Sequence, residues 1–296
     1  MSRIIVTGGK GQLGQTLRRE MPLAGLNDVE FIDVEDLDIT DEEAVMRYFE
    51  EHPCSFLVNC AAYTAVDRAE DECEQAYNVN AMAVLKLANA AKEYGFKIIQ
   101  ISTDYVFSGC GNRPYREEDE IFDIERQEGP FTVYGRTKLL GEIGLQTMIP
   151  LHHVIIRTSW LYSEYGHNFF KTMLRKAVAD EKVRVVADQK GCPTYAGDLA
   201  KVIISVIQSE TWKPGIYHYC NSGVTSWHGF ASEIYEIAGK DPANVIPIMT
   251  EDYPTAAKRP KYSALDTGKI KAMYGVDCPD WRDSLKKMSI EYTKWN

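Results

Sequence analysis

The chain has 296 residues, 45% hydrophobic and 26% charged, with 33 Lys and Arg against 43 Asp and Glu for a formal net charge of −10. This length supports one large α/β domain or a principal domain with a smaller lobe. The acidity argues against a nucleic-acid polyanion as main partner, because backbone contacts require a positive surface, but it allows a local basic pocket for a small anion. No run approaches the roughly 20 apolar residues of a membrane helix, and "MSRIIVTGG" lacks the apolar core of a signal peptide. Seven cysteines, an odd number without a C-x-x-C pair, suggest neither a disulfide framework nor a zinc site, so a cytoplasmic location is expected.

From the amino terminus, "RIIVTG" (3–8) reads as a strand and "QLGQTLRREM" as a helix. Between them Gly8, Gly11 and Gly14 form G-x-x-G-x-x-G. In that context glycine permits the tight turn and lets the main chain approach a pyrophosphate, while the helix N-terminus offers free N–H donors. "VEFIDV" (29–34) is the second strand. Asp33 at its end is placed to accept hydrogen bonds from an adenosine ribose, which favours NADH. Lys10 in the loop can instead pair a 2′-phosphate and permit NADPH. Asp38 and Ile39 in "LDIT" fit the edge of an adenine pocket.

"DEEAVMRYFEEH" reads as a helix, "SFLVNCAA" (55–62) as a strand, and "CEQAYNVNAMAVLKLANAAKEYG" as one long helix stopped by Gly95. "KIIQIST" (97–103) follows as a strand, and Ser102, Thr103 and Asp104 emerge at its carboxyl end, where open parallel sheets bind ligands. The acidic "REEDEIFDIERQEG" (116–129) reads as a solvated surface loop. "TVYGRTKLLGEIGLQTM" then forms a helix and "HHVIIRTS" (152–159) a strand. The alternation predicts an α/β fold, a doubly wound parallel sheet of Rossmann type covered on both faces.

Tyr134 and Lys138 stand four apart in "YGRTK", on one helix face. A carbonyl that receives a hydride becomes an alkoxide and needs a proton. A phenol can donate it if a nearby cation lowers its pKa from about 10. Lys138 can be that cation and hold a nicotinamide ribose, while Thr103 can hydrogen-bond the substrate oxygen. After about residue 160 the pattern loosens: "NFFKTMLRKAVADE" and "SWHGFASEIYEIAG" look helical, "IYHYCNSG" looks like a strand, and five prolines punctuate the tail. The expected division is a dinucleotide-binding domain over 1–160, rejoined by about 193–222, and a smaller, loop-rich substrate lobe over 161–192 and 223–296.

These motifs resemble those of the extended short-chain dehydrogenases/reductases. More narrowly, "TGGKGQLG", "STDYVFSG", "VYGRTKLLGE", "RTSWLY", "DQKGCPT" and "RPKYSALD" resemble the dTDP-4-dehydrorhamnose reductases over nearly the whole chain. The resemblance implies NADPH- or NADH-dependent reduction of the C4 ketone of dTDP-6-deoxy-L-lyxo-4-hexulose to dTDP-L-rhamnose. It implies Tyr134 as proton donor, Lys138 as its partner and Thr103 as third catalytic residue. Gly11, Gln12 and Leu13 would contact the dinucleotide phosphates, Asp38 and Ile39 the adenine, and Ala62, Tyr63 and Thr64 the cofactor. Thr103 and Asp104 would touch the sugar, Trp160 would stack on sugar or base, and Arg259 would meet the pyrophosphate.

Two departures from the family stand out. Some members bind magnesium through glutamates at a dimer interface, where this chain has Thr16 and Gly197. No metal is therefore expected, and a homodimer is left open. The segment between Phe107 and Tyr134 is longer than usual, and residues 116–131 are candidates for a lid or an oligomer contact. Alternatives are a reductase of another nucleotide 4-keto-6-deoxy sugar and a non-catalytic regulatory subunit of the same fold. A 4,6-dehydratase is disfavoured because Tyr105 follows Thr103 and Asp104 where glutamate is usual.

Overall fold

The computed structural model describes residues 3–121 and 129–295. Residues 122–128 lie outside the described residues, and with them part of the 116–131 segment expected as a lid or oligomer contact. In chain order the first half runs β1 (Ile4–Thr7), α1 (Gln12–Leu23), β2 (Val29–Phe31), α2 (Glu42–Glu51), β3 (Phe56–Asn59), α3 (Cys73–Tyr77), α4 (Ala83–Tyr94), β4 (Lys97–Thr103), α5 (Val133–Met148) and β5 (His153–Thr158). The second half adds β6 (Leu161–Tyr162), α6 (Phe169–Val178), β7 (Val183–Val186), β8 (Lys190–Gly191), β9 (Thr194–Tyr195), α7 (Ala196–Gln208) and β10 (Gly215–His218). It closes with β11 (Thr225–Ser226), α8 (Trp227–Ile237), β12 (Val245–Ile248), α9 (Gly268–Tyr274) and α10 (Trp281–Trp295).

Six strands form one parallel sheet in the order β10-β5-β4-β3-β1-β2. The strand order reverses at β1, which opens a crevice at the carboxyl ends. Because strand side chains alternate, Ile4, Val6, Val58, Ile99 and Val154 pack under α1 and α7, whereas Ile5, Leu57, Ile98 and Ile155 pack under α2, α4 and α5. Both faces are therefore apolar, which is why the strands read as near-continuous hydrophobic runs. Towards the site, polar groups interrupt that core. Thr7 Oγ1 donates to Asn59 Oδ1 at 2.6 Å, Asn59 Nδ2 to Gln100 Oε1 at 2.8 Å, and Gln100 Nε2 to the Ile101 carbonyl at 3.0 Å. Every link is satisfied, so the row fixes the register of β1, β3 and β4 without an orphaned group.

The long helix expected over 73–95 is interrupted. Between α3 and α4 the chain takes one wide π-type turn, Asn78–Met82, before ending at Gly95 in the left-handed conformation (φ 78°). The Asn80 side chain explains the turn's place: Oδ1 accepts from Tyr63 N at 2.9 Å and Nδ2 donates to Tyr63 O at 3.0 Å. The Asn80 carbonyl faces Gly141 of α5, so closely that a Cβ on Gly141 would overlap it.

A separate apolar cluster joins α6, α8, α10, β7 and β12 around Phe170, Phe230, Tyr235, Val245 and the buried Trp281. More helical than the loop-rich expectation, this region holds its share of the chain in α6, α8 and α10. Gly141→Ala is expected to push α5 off the wide turn and lower stability by about 1–3 kcal/mol, the usual cost of overpacking. Urea denaturation checks it; an unchanged midpoint would show that α5 can shift freely.

Candidate active site

The glycine loop closes on itself. Gly11 N donates to Gly8 O at 3.0 Å, Gly8 has φ 64°, and a Cβ on Gly8 would lie 2.8 Å from Ala61 N. A Cβ on Gly14 would overlap the Gly8 carbonyl, so only glycine lets α1 start against β1 here. Gly11 caps α1 without a side-chain hydrogen bond, leaving first-turn N–H groups for an anion. Asp33 receives Lys10 N at 2.8 Å and Val34 N at 3.0 Å, while the Lys10 ammonium pairs with Glu35 at 2.9 Å. Asp38 accepts from the backbone and hydroxyl of Thr40 at 2.9 and 2.7 Å.

One cavity of about 780 Å³ extends from this loop across the strand ends. Its wall takes in Gly8, Gly11, Gln12, Leu13 and Gly14, then Asp33, Asp38 and Ile39, then Ala62 and Thr64 beyond β3. It continues to Thr103, Asp104, Tyr134 and Lys138, and further to Trp160 and Arg259. Tyr63 is the exception. Asn80 holds its backbone and Glu72 accepts its hydroxyl, so the ring packs by Ala69 and Val133 and does not reach the wall.

Thr132 caps α5 by accepting from Gly135 N at 2.9 Å, which sets Tyr134 in the first turn, beside Tyr105. Burial pushes the Tyr134 phenol well up, opposed by the nearby Thr103 hydroxyl. This is opposite to the lowering expected from Lys138, and it keeps the phenol protonated, as a proton donor requires. Lys138 is also buried, and its Nζ donates to the Ile101 carbonyl at 2.6 Å. Burial lowers its pKa to about 8, with Glu142 and Cys60 acting in the other direction.

Thr103 Oγ1 donates to Asp104 Oδ1 at 3.0 Å and accepts from Tyr105 N at 3.2 Å. Asp104 is 2% exposed, and its Oδ2 has no hydrogen-bond partner among the described residues. Ser263 acts on this carboxyl electrostatically without meeting hydrogen-bond geometry at Oδ2. Burial raises its pKa to about 6, against the pull of Ser263 and Thr103. A buried acceptor without a partner on the wall of a cavity is a place for a ligand hydroxyl.

Trp160 adopts φ 46°, strained for a non-glycine residue. Its indole lies between the backbone of Gly191, where a Cβ would come within 2.7 Å, and the ring of Trp227, stacked at 3.7 Å and 9°. The pairing of β8 with β11 brings these two sides together. Trp227, Phe169 and Phe230 also line the cavity, and sequence reasoning assigned none of them a site role. Arg259 is held by Asp67 and donates to Tyr105 Oη at 3.3 Å, so its guanidinium is anchored where it meets the cavity. Among the described residues no group of three or more His, Cys, Asp or Glu is arranged to hold a metal, and no helix is long and apolar enough to cross a membrane.

The family model for the RmlD substrate binding domain matches residues 2–294. A dTDP-4-dehydrorhamnose reductase of Aggregatibacter actinomycetemcomitans is 42% identical, over 97% of this chain and 98% of its own length. This chain belongs to the dTDP-4-dehydrorhamnose reductase family. The crystal structure of such a reductase from Bacillus anthracis, in complex with NADP, is similar with a TM-score of 0.91 at 38% identity, covering 98% of this chain and 99% of that one. A dTDP-glucose 4,6-dehydratase of Streptomyces venezuelae shares the fold alone, with a TM-score of 0.80 at 18% identity, covering 99% and 97%.

If the family's glycine loop serves as the geometry indicates, Gly14→Ala weakens NADPH binding at least about tenfold, or ~1.4 kcal/mol, while the chain stays folded. Fluorescence titration with NADPH, alongside circular dichroism, measures both. Unchanged affinity would remove the loop from cofactor binding.

Proposed function

We propose that this enzyme reduces the C4 ketone of dTDP-4-dehydro-β-L-rhamnose to dTDP-L-rhamnose with NADPH or NADH. The observation that carries the reading is the single cavity wall on which the glycine loop, Thr103, Tyr134 and Lys138 meet. The loop fits a dinucleotide because Gly8 and Gly14 let it close tightly on the neighbouring backbone, which leaves the first-turn N–H groups of α1 beside the cavity. Gln12 and Leu13 at the start of α1 would hold its phosphates, Asp33 its ribose, and Asp38 and Ile39 its adenine. The NADP complex of the Bacillus anthracis relative supports NADPH. When bound, the reduced nicotinamide supplies a hydride.

The residues of this chain do the rest. Tyr134 gives its phenolic proton to the oxygen that becomes the new hydroxyl, and Lys138 as an ammonium stabilises the phenolate left behind. Thr103 orients the reacting oxygen against Tyr134. Asp104 Oδ2 accepts a sugar hydroxyl, which satisfies the buried acceptor. The indole of Trp160, braced between Gly191 and Trp227, presents its apolar edge to the sugar, and Arg259, steadied by Asp67, faces the pyrophosphate. We also infer that 1–160 with 193–222 binds the dinucleotide and that 161–192 with 223–296 forms the substrate lobe. The separate apolar cluster around Phe170 and Trp281 supports this division.

Tyr134→Phe is expected to lower kcat about 10²–10⁴-fold while leaving NADPH affinity within about twofold. Absorbance assays with the keto-sugar and fluorescence titration with the cofactor separate the two, and NMR identifies the product. Turnover that survives the substitution would contradict Tyr134 as donor. A C4 epimer of dTDP-L-rhamnose would contradict the assigned product.

A further inference from the structure

One turn beyond Lys138 on α5 lies Glu142, in a region closed to water: its side chain is 0% exposed and that of Arg157 on β5 is 1%. Arg157 grips both carboxylate oxygens, with Nε at 3.0 and 3.1 Å and Nη2 at 2.6 Å. Ser102 Oγ donates to the same carboxylate. Behind Arg157, Nη1 lies 3.4 Å from His218 Nε2, and His218 Nδ1 lies 3.1 Å from the Tyr115 carbonyl. Burial and the guanidinium lower the His218 pKa to about 3, so the ring is neutral.

These contacts distribute along the last three residues of β4. Ile101 gives its carbonyl to Lys138 and Ser102 its hydroxyl to Glu142, while Thr103, next along the strand, shares the cavity wall with Tyr134. Lys138 and Glu142 thus each fix one residue of the strand end that presents the site. The charge balance is equally pointed. Lys138 and Arg157 are buried cations, and Glu142 is the buried anion that bonds Arg157 and lies one helical turn from Lys138. From α5 Lys138 faces Glu142 and has Tyr134 one turn back. From the end of β3 it faces Cys60, whose thiol burial pushes up to about 12, so that it is neutral. From beyond β4, Asp104 lies on the same cavity wall, while Arg157 on β5 and His218 on β10 stand behind Glu142. A buried ion pair is not a cheap way to join a helix to a sheet, since apolar residues of similar size often do as well. A buried lysine, by contrast, needs a nearby negative charge to stay protonated.

We propose that Glu142 is a positioning residue of the reduction: its carboxylate keeps Lys138 an ammonium in a dry site and fixes the strand end carrying Thr103. The proposal rests on the functional reading above. Lys138 works as a cation, and burial holds its pKa down at about 8, so activity is expected to fall as pH rises through that value. Removing the Glu142 charge lowers the Lys138 pKa further and moves this alkaline limb to lower pH.

Glu142→Gln keeps the shape and a hydrogen-bond acceptor but loses the charge. Its kcat profile is expected to shift by about one pH unit toward acid, with the pH dependence of NADPH affinity, read by fluorescence, moving the same way. Glu142→Asp restores most of the shift. Should Glu142→Gln fail to fold, Glu142→Gln/Arg157→Gln removes both charges and so leaves no unpaired buried cation at 157. Because the Arg157 cation stands farther from Lys138 than the carboxylate it grips, a smaller shift in the same direction is expected. A folded variant with lower urea stability and an unmoved alkaline limb would overturn the proposal and leave Glu142 a latch. If the wild type turns over no keto-sugar, the functional reading fails, while the NADPH-binding profile still decides the charge.

Discussion

The ammonium of Lys138 meets the carbonyl of Ile101 at 2.6 Å, joining α5 to the end of β4 at the wall of the cavity. Around that bond the site is assembled. Tyr134 lies one turn before Lys138 and Glu142 one turn after, so a single helix face presents an acid, a cation and an anion to one strand end. The helix comes this close because Gly135 lies against the Tyr105 carbonyl and Gly141 against that of Asn80, where any larger residue would collide. Dryness then decides the electrostatics: the same burial that raises Tyr134 and Asp104 lowers Lys138.

A parallel sheet buried on both faces has few places for polar groups, and here they gather at its carboxyl end. Thr7, Asn59 and Gln100 bond across three strands just below the crevice, so the platform under the reacting groups is held by hydrogen bonds as well as by packing. The glycine loop at one end of the cavity and the stacked indoles of Trp160 and Trp227 at the other mark two different binding chemistries. Backbone N–H groups suit phosphates, whereas an apolar aromatic surface suits the carbon-bound side of a sugar ring. The orphan Oδ2 of Asp104 stands between them.

Much of this was legible in the sequence. The parallel strands were, because burial on both faces makes them continuous apolar runs, and β4 matches its expected bounds residue for residue. Strands β2 and β3 stop earlier than expected, at Phe31 and Asn59, because the residues that follow leave the sheet to form the cavity wall. The break at Asn78–Met82 was hidden, since it depends on Asn80 meeting Tyr63, and no local pattern records that contact. The helix Trp281–Trp295 escaped notice although Trp281, Leu285 and Met288 follow helical spacing; the prolines before it suggested loops. The Tyr–Lys pair and the glycines were visible because their chemistry is local in sequence. Trp227 and Glu142 were not, for their roles come from partners on other elements.

Deuterium transfer tests the central claim most directly. The protein would be incubated with the keto-sugar and NADPH carrying deuterium at the reactive position of the nicotinamide, and the product examined by NMR. The account predicts dTDP-L-rhamnose with deuterium at C4 alone and none drawn from solvent. Deuterium absent from C4, or solvent hydrogen exchanged into C3 or C5 without net reduction, would contradict a reductase and point to isomerisation on the same fold.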